Sequence, residues 1–287
     1  MKKLYIMLAA GMVSLAAAAQ GPVSDALPFI QVDYNPASIA MGSTYVPSVA
    51  VVPLSGVSLV GGVGYQNYMP AISGTQYISA GAAGTYGKVA GSISFSRGTG
   101  EEIASEKFTP SEILVSVGAG YALTDILALG VNLKYAKEQL LSNYSNSAIA
   151  ADAFVAGRIE DFDFAAGVSS IGQKVASQST GDFSLPTSLT AGCGYGLSVA
   201  DEHAIRARVK GDYYLSGAFA AGVGAEYCFD GMVSARAGYH YGGNSIIPSF
   251  ASAGLGVHIH EFTFDAAYLF ASDVLGGSFS VSAGVRF

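Results

Sequence analysis

In Leu127-Ala128-Leu129-Gly130-Val131-Asn132-Leu133-Lys134-Tyr135-Ala136 every odd position carries a bulky apolar side chain and every even one a small or polar side chain. Successive side chains of an extended chain point to opposite faces, so this stretch is a strand with one oily face and one polar face. The same period of two governs Val233 to Tyr241, Ala251 to His260 and Ser280 to Phe287. Each run lasts about ten residues, the length of a tilted membrane-crossing strand, whereas strands of soluble sheets average about 5–6. A soluble sandwich shares the alternation but does not need such uniform length.

Runs of this kind predict about fourteen strands, over 57–65, 75–84, 88–97, 110–121, 126–137, 147–158, 162–171, 186–198, 203–213, 217–229, 232–242, 249–260, 262–270 and 277–287. Tight connections at Tyr86-Gly87, Thr124-Asp125, Glu160-Asp161, Ala200-Asp201-Glu202, Asp230-Gly231 and Glu261 alternate with longer ones such as Gly98–Thr109 and Gly172–Leu185. Outer-membrane barrels have short periplasmic turns and longer outer loops, and an even strand number brings both ends to the periplasm. Leu215-Ser216 is short for an outer connection, and a miscount there would give twelve strands or sixteen. The fold class read from the sequence is therefore all-β: a transmembrane antiparallel barrel over 56–287.

Composition agrees. The 287 residues are 51% hydrophobic and only 12% charged, half the usual charged share of about 25%, and the mean hydropathy is +0.40. After the N-terminus no run approaches the ~20 apolar residues of a membrane helix. Tyr and Phe must form any interfacial girdles, because the chain has no Trp. A net charge of −7 and a pI near 5.0 exclude the basic surface that nucleic-acid binding needs.

Met1-Lys2-Lys3, the apolar run Leu4 to Ala19 and the small residues Ala17-Ala18-Ala19 predict a secretory signal peptide over 1–19. The segment 20–55 contains Pro22, Pro28, Pro36, Pro47 and Pro53. Proline cannot serve in a central ladder, so this is a periplasmic arm or plug, with a short helix near Pro36 to Met41. Cys193 and Cys228 read as lipid-facing residues two strands apart, roughly 10 Å, beyond the ~7 Å Cα reach of a disulfide. Free thiols are expected.

Charges on the face read as lumenal gather late in the chain: Arg206, Arg208, Lys210, Asp212, Glu226, Arg236, His258, His260 and Asp265. If Phe229 pairs with Val233 across the Asp230-Gly231 turn, Glu226 stands opposite Arg236, with Arg206 or Arg208 approaching from the other side. Such pairs either brace a narrow lumen or form a polar gate that steers a ligand. His258 and His260 would share a face at i, i+2, but His240 should lie some 25 Å away along its strand. Two imidazoles without a nearby carboxylate or thiolate make a poor metal site; no metal or cofactor is expected. No Gly-x-Ser-x-Gly elbow or phosphate loop occurs, and no nucleophile–base pairing is visible, so no enzymatic activity is expected. Phe279, Val281, Val285 and Phe287 fall in phase on the apolar face of the last strand, like the terminal signal by which the bacterial assembly machinery recognises barrel strands.

The stretch Phe29-Ile30-Gln31-Val32-Asp33-Tyr34-Asn35-Pro36-Ala37-Ser38-Ile39-Ala40-Met41-Gly42 resembles the mature N-terminus of the PorV/PorQ family of Bacteroidota outer-membrane proteins, relatives of the FadL-like transporters of hydrophobic compounds. Ala50-Val51-Val52-Pro53 and Val63-Gly64-Tyr65-Gln66-Asn67-Tyr68-Met69-Pro70 look like short members too. The resemblance implies a fourteen-stranded barrel in the Gram-negative outer membrane. It marks Asn35, Pro36, Ala37, Met41 and Gly42 as the N-terminal motif, and implies a role in transport or as a type IX secretion accessory with protein partners at the periplasmic rim or outer loops. The chain departs from the family in reading Met41-Gly42-Ser43-Thr44 where Met-Gly-Gly-Ala is frequent, and in lacking a second Asn-Pro-Ala segment. The alternative is a FadL-like channel for small hydrophobic molecules, which predicts a ligand pocket between arm and barrel wall lined by apolar residues. A structural or adhesive barrel ranks third, because the outer loops are short.

Overall fold

The computed structural model describes residues 25–70, 75–104, 107–142, 144–175, 182–243, 245, 247–271 and 275–287; the leader expected at 1–19 lies outside them. Seven strands form the first half: β1 (Leu59–Tyr68), β2 (Thr75–Tyr86), β3 (Val89–Thr99), β4 (Ser111–Ala122), β5 (Leu127–Leu141), β6 (Tyr144–Ile159) and β7 (Phe162–Gly172). The second half is β8 (Ser188–Ala200), β9 (His203–Tyr214), β10 (Phe219–Phe229), β11 (Val233–Tyr241), β12 (Phe250–Ile259), β13 (Phe262–Phe270) and β14 (Phe279–Arg286). Every strand pairs antiparallel with its sequence neighbours, and β14 returns to β1 from Val60↔Arg286 to Asn67↔Phe279. Phe287 N–H donates to Leu59 O at 2.8 Å and its carbonyl accepts Ser58 N–H at 2.9 Å, so the seam is bonded to the last residue. Closure leaves no unpaired strand edge, the condition for a sheet in lipid.

The expected strand bounds recur within a few residues. The short joint at Leu215-Ser216 is a true turn, with Tyr214 N–H donating to Ala218 O and Gly217 N–H to Tyr214 O, both at 2.9 Å. β5 and β6 run longer than their alternation suggested, to 15 and 16 residues, continuing past a bulge between Gln139 and Leu141 to pair Leu141 with Tyr144 beside their connecting turn. At the tight hairpin between β10 and β11, Asp230 and Gly231 take φ of 52° and 65°, the left-handed pair that matches the right-handed twist of the flanking strands.

The faces are inverted relative to a soluble protein. Val63, Ile78, Leu133 and Leu255 point outward and are 59–62% exposed, while Gln66, Asn132 and Asp152 are buried inside. Leaving one such side chain in water forgoes about 1.5–3 kcal/mol, and the exposed apolar residues recur on every strand; hydrocarbon is the solvent that suits them. Among the described residues no helix is long and apolar enough to cross a membrane.

Cys193 shares the outward face with Leu189 and Tyr195, but Cys228 is in phase with Glu226 and points inward, so its expected lipid-facing position is corrected. On β9 the two face Val209 and Ala204, five residues apart. Both thiols are free.

The N-terminal segment runs down through the lumen. At the long-loop rim Ala26 N–H donates to Ser184 O at 2.9 Å, and Asp25 accepts the Ser216 hydroxyl at 3.1 Å. Leu27, Phe29 and Ile30 then pack on Ala136, Ala148 and Ala150. A short helix, α1 (Pro36–Ala40), follows, then a 3-10 helix over Val49–Leu54, whose last carbonyl accepts Arg158 Nη1 at 3.0 Å before the chain enters β1 at the short-turn rim.

What admits this segment is a wall of glycine. A Cβ at Gly224 would lie 2.3 Å from Met41 O, one at Gly238 2.2 Å from Gly42 N, and one at Gly130 2.5 Å from Ala50 N. These three lumenal glycines therefore serve contact with the inserted backbone, whereas Gly194 and Gly256 make room for the Arg208 and Arg236 side chains. Gly238→Val is expected to overpack the lumen and cost about 1–3 kcal/mol, lowering the urea midpoint of the folded barrel in lipid. Gly91→Val, which meets open space, is expected to leave that midpoint unchanged.

Candidate functional site

The lumen has three levels. At the long-loop end a cavity of about 440 Å³ separates Pro28, Phe29 and Val32 of the inserted segment from Tyr68, Tyr77 and Leu140 of the wall. Its floor is aromatic: Tyr34 meets Tyr77 edge-on with centroids 5.2 Å apart, and Tyr68 meets Tyr77 at 6.1 Å. The Tyr77 hydroxyl donates to Glu112 Oε2 at 2.5 Å. This pocket was not legible residue by residue, because Phe29 and Leu140 are brought together only by docking of the arm.

The middle level holds the N-terminal motif. The Asn35 side chain accepts N–H groups of Ala37 at 2.9 Å and Ser38 at 3.3 Å, and Pro36 begins α1, where its missing N–H costs nothing. Asp33 accepts the Ser38 hydroxyl at 2.5 Å and the Asn35 amide at 3.0 Å. Burial pushes the Asp33 carboxyl up from the usual carboxylate range, and these hydrogen bonds offset the push only in part. Gly42, at φ +72°, sits with a would-be Cβ 2.5 Å from Tyr239 O, and its N–H donates to Ser252 Oγ at 3.3 Å. Asn35, Pro36, Ala37, Met41 and Gly42 thus cap a helix and seat it against the glycine wall.

The lowest level is charged. Arg236 bridges Glu226 at 2.6 Å and Asp265 at 2.5 Å, while Arg206 reaches Glu226 only at 4.0 Å. Arg208 turns away to a two-pronged contact with Asp163, at 2.6 and 3.1 Å, and its guanidinium lies 5.1 Å over the Tyr45 ring. The expected cluster of Arg206, Arg208, Glu226 and Arg236 is two networks, divided because Asp163 on β7 offers Arg208 a closer carboxylate.

A further network escaped the sequence reading. Lys134 pairs with Asp152 at 2.8 Å; Asp152 also accepts from Asn132 at 3.2 Å, from the Ser169 hydroxyl at 3.2 Å and from Ser170 N–H at 2.8 Å. Asn132 donates to Pro47 O at 3.3 Å as well, so the network ties the inserted segment to the wall. Its signal was present: Asn132 and Asp152 face one another in the β5–β6 register.

The histidines do not converge. His258 faces inward, but His260 lies in the turn after β12 at φ 53°, exposed, so the two do not share a face as expected. The strand ends at Ile259 and the turn breaks its phase. His240 is buried and stacks on Phe250 at 5.0 Å. Among the described residues no group of His, Cys, Asp and Glu could hold a metal ion. Phe279, Val281 and Phe287 are exposed on the outward face of the terminal strand, with Val285 in phase.

A closed antiparallel barrel of fourteen strands, apolar outside and occupied by its own N-terminal segment, defines the class. No family model matches the sequence, and no curated protein matches it. Solved structures do match in fold: the Pseudomonas putida toluene transporter TodX (TM-score 0.59, 10% identity, 88% of this chain and 96% of that one); a Pseudomonas aeruginosa FadL homologue (0.50, 12%, 93% and 99%); and the Acinetobacter baumannii outer membrane protein Omp33 (0.51, 14%, 80% and 98%).

Arg236→Ala would strand two carboxylates among wall residues, at a cost of about 3–5 kcal/mol. Arg206→Ala removes a half-exposed partner and should cost less than about 1 kcal/mol. Urea unfolding in lipid vesicles measures both.

Proposed function

We propose that this chain is an outer-membrane passage for small hydrophobic molecules in a Gram-negative bacterium, binding them first in the cavity between the inserted segment and the barrel wall. The observation that carries this reading is the cavity itself. It opens toward the long-loop end, which is the outer face if short turns mark the periplasm. Its volume of about 440 Å³ falls within the ~300–1,000 Å³ of small-molecule pockets, and apolar and aromatic groups dominate its lining. The fold shared with a toluene transporter and a FadL homologue supports the same reading.

The inserted segment is the stopper. It is held by glycine contacts, a short capped helix and the Asn132–Pro47 bond rather than by a continuous sheet, so local displacement suffices to let a bound molecule move on. The charged pairs beneath brace the periplasmic mouth. Bilayer lipid surrounds the barrel, and the in-phase terminal strand ending on Phe287 is what the assembly machinery would recognise. No chemical step is assigned to any residue.

The secretion role implied by the PorV/PorQ resemblance rests on the motif at Asn35 to Gly42, to which the structure gives a docking role. Removal of the gene is expected to leave type IX cargo secretion unchanged; loss of secretion would favour that role instead. The transport reading predicts saturable binding of a monoaromatic or short alkyl ligand to the purified protein in lipid nanodiscs. Val32→Trp, which fills the cavity, should reduce binding at least tenfold while heat-modifiable mobility is retained.

A further inference from the structure

The outer cavity carries charge of one sign only. Glu112 of β4 and Glu138 of β5 stand directly opposite each other in the ladder, both on the lumenal face. Glu112 accepts the Tyr77 hydroxyl, and Glu138 accepts Asn146 Nδ2 at 2.9 Å. Among the described residues neither carboxylate enters an ion pair. Glu138 is only 7% exposed, and Asn146 is its hydrogen-bond partner among the described residues; it stands beside Glu112 and next to the residues that line the cavity. The cations nearest in register, Arg97 and Lys137, both lie opposite Ile113 and so on the outward face. No Lys, Arg or His is among the described residues lining the cavity, whereas Glu101 and Glu112 are.

A buried carboxylate without a counter-charge is costly, and two facing each other more so. A cation seated between the two would relieve that cost, as uptake of a proton would, and the aromatic floor lies beside the pair. The rings supply a second attraction of the same sign, because the π faces of Tyr68 and Tyr77 draw a cation by their quadrupole. An anionic ligand would meet only repulsion here. Acidic groups at the mouth raise the local concentration of cations before they enter.

We propose that the ligand this cavity selects is a small hydrophobic cation, a protonated amine carried on an apolar body, with its ammonium between Glu112 and Glu138 and its body against Phe29, Tyr68 and Tyr77. The inference rests on the cavity being a ligand site, as read above, and adds the charge of the ligand.

Three probes of one shape and different charge test it: phenethylamine, 2-phenylethanol and 3-phenylpropionate, titrated at neutral pH by calorimetry into the full protein in lipid nanodiscs, with empty nanodiscs subtracted. The expected order is amine at least tenfold tighter than alcohol, and the carboxylate weakest. In Glu112→Gln/Glu138→Gln the preference for the amine over the alcohol should vanish. The unaltered protein already decides the matter if the double variant fails to assemble. Alcohol binding as tightly as amine, carboxylate binding best, or an amine preference that survives the double variant would each overturn the proposal and leave the hydrophobic passage standing. Absence of binding by all three would overturn both.

Discussion

A side chain on a strand embedded in a membrane has two destinations, hydrocarbon or the enclosed interior, and the backbone permits no third. That constraint generates the molecule. It demands alternation along each strand, and because an unpaired edge in lipid would leave N–H and C=O groups without partners at several kcal/mol each, it demands that the sheet close. The β1–β14 seam, bonded out to Phe287, is the structural answer to the second demand. The exposure of Val63, Ile78 and Leu255 on the outside answers the first.

Closure creates an interior that must be filled or gated. Here the chain fills it with its own N-terminal segment, and the fit sets the composition of the inner wall. Residues at lumenal positions are small where backbone approaches backbone, as at Gly224 beneath Met41 and Gly238 beneath Gly42. They are charged toward the short-turn end, as at Arg236 between Glu226 and Asp265. They are aromatic where the segment leaves a gap near the long-loop rim. One strand pattern thus produces docking surface, brace and pocket in succession along the axis, and the functional reading draws on their order.

Most of the fold was legible because its signal is local and periodic: a strand declares its two faces within ten residues. The interior was legible only where register could be counted from a tight turn, as for Glu226 opposite Arg236 across Asp230-Gly231. Arg208 was misassigned because its partner Asp163 comes from a strand two places away. His260 was placed on a strand that ends one residue earlier, and the phase of Cys228 was misread although Glu226 on the same strand was placed correctly. A pocket between arm and wall was expected of the channel reading, but its lining residues were not legible, for a different reason. It belongs neither to the barrel nor to the arm, and tertiary docking alone brings Phe29, Tyr77 and Leu140 around one space. An inner face of glycine, as at Gly130, Gly224 and Gly238, is the imprint of a second backbone.

The chain contains no Trp, so a single Trp introduced anywhere reports its surroundings without background. Quenching by brominated lipid, with Trp placed in turn at Ser92, Ile93, Ser94 and Phe95 of β3 and at Ser116 and Val117 of β4, reads the two destinations directly. Strong quenching at Ile93, Phe95 and Val117 and weak quenching at Ser92, Ser94 and Ser116 is the result expected of a lipid-solvated barrel wall. Equal quenching at all six positions, or none at any, would contradict it.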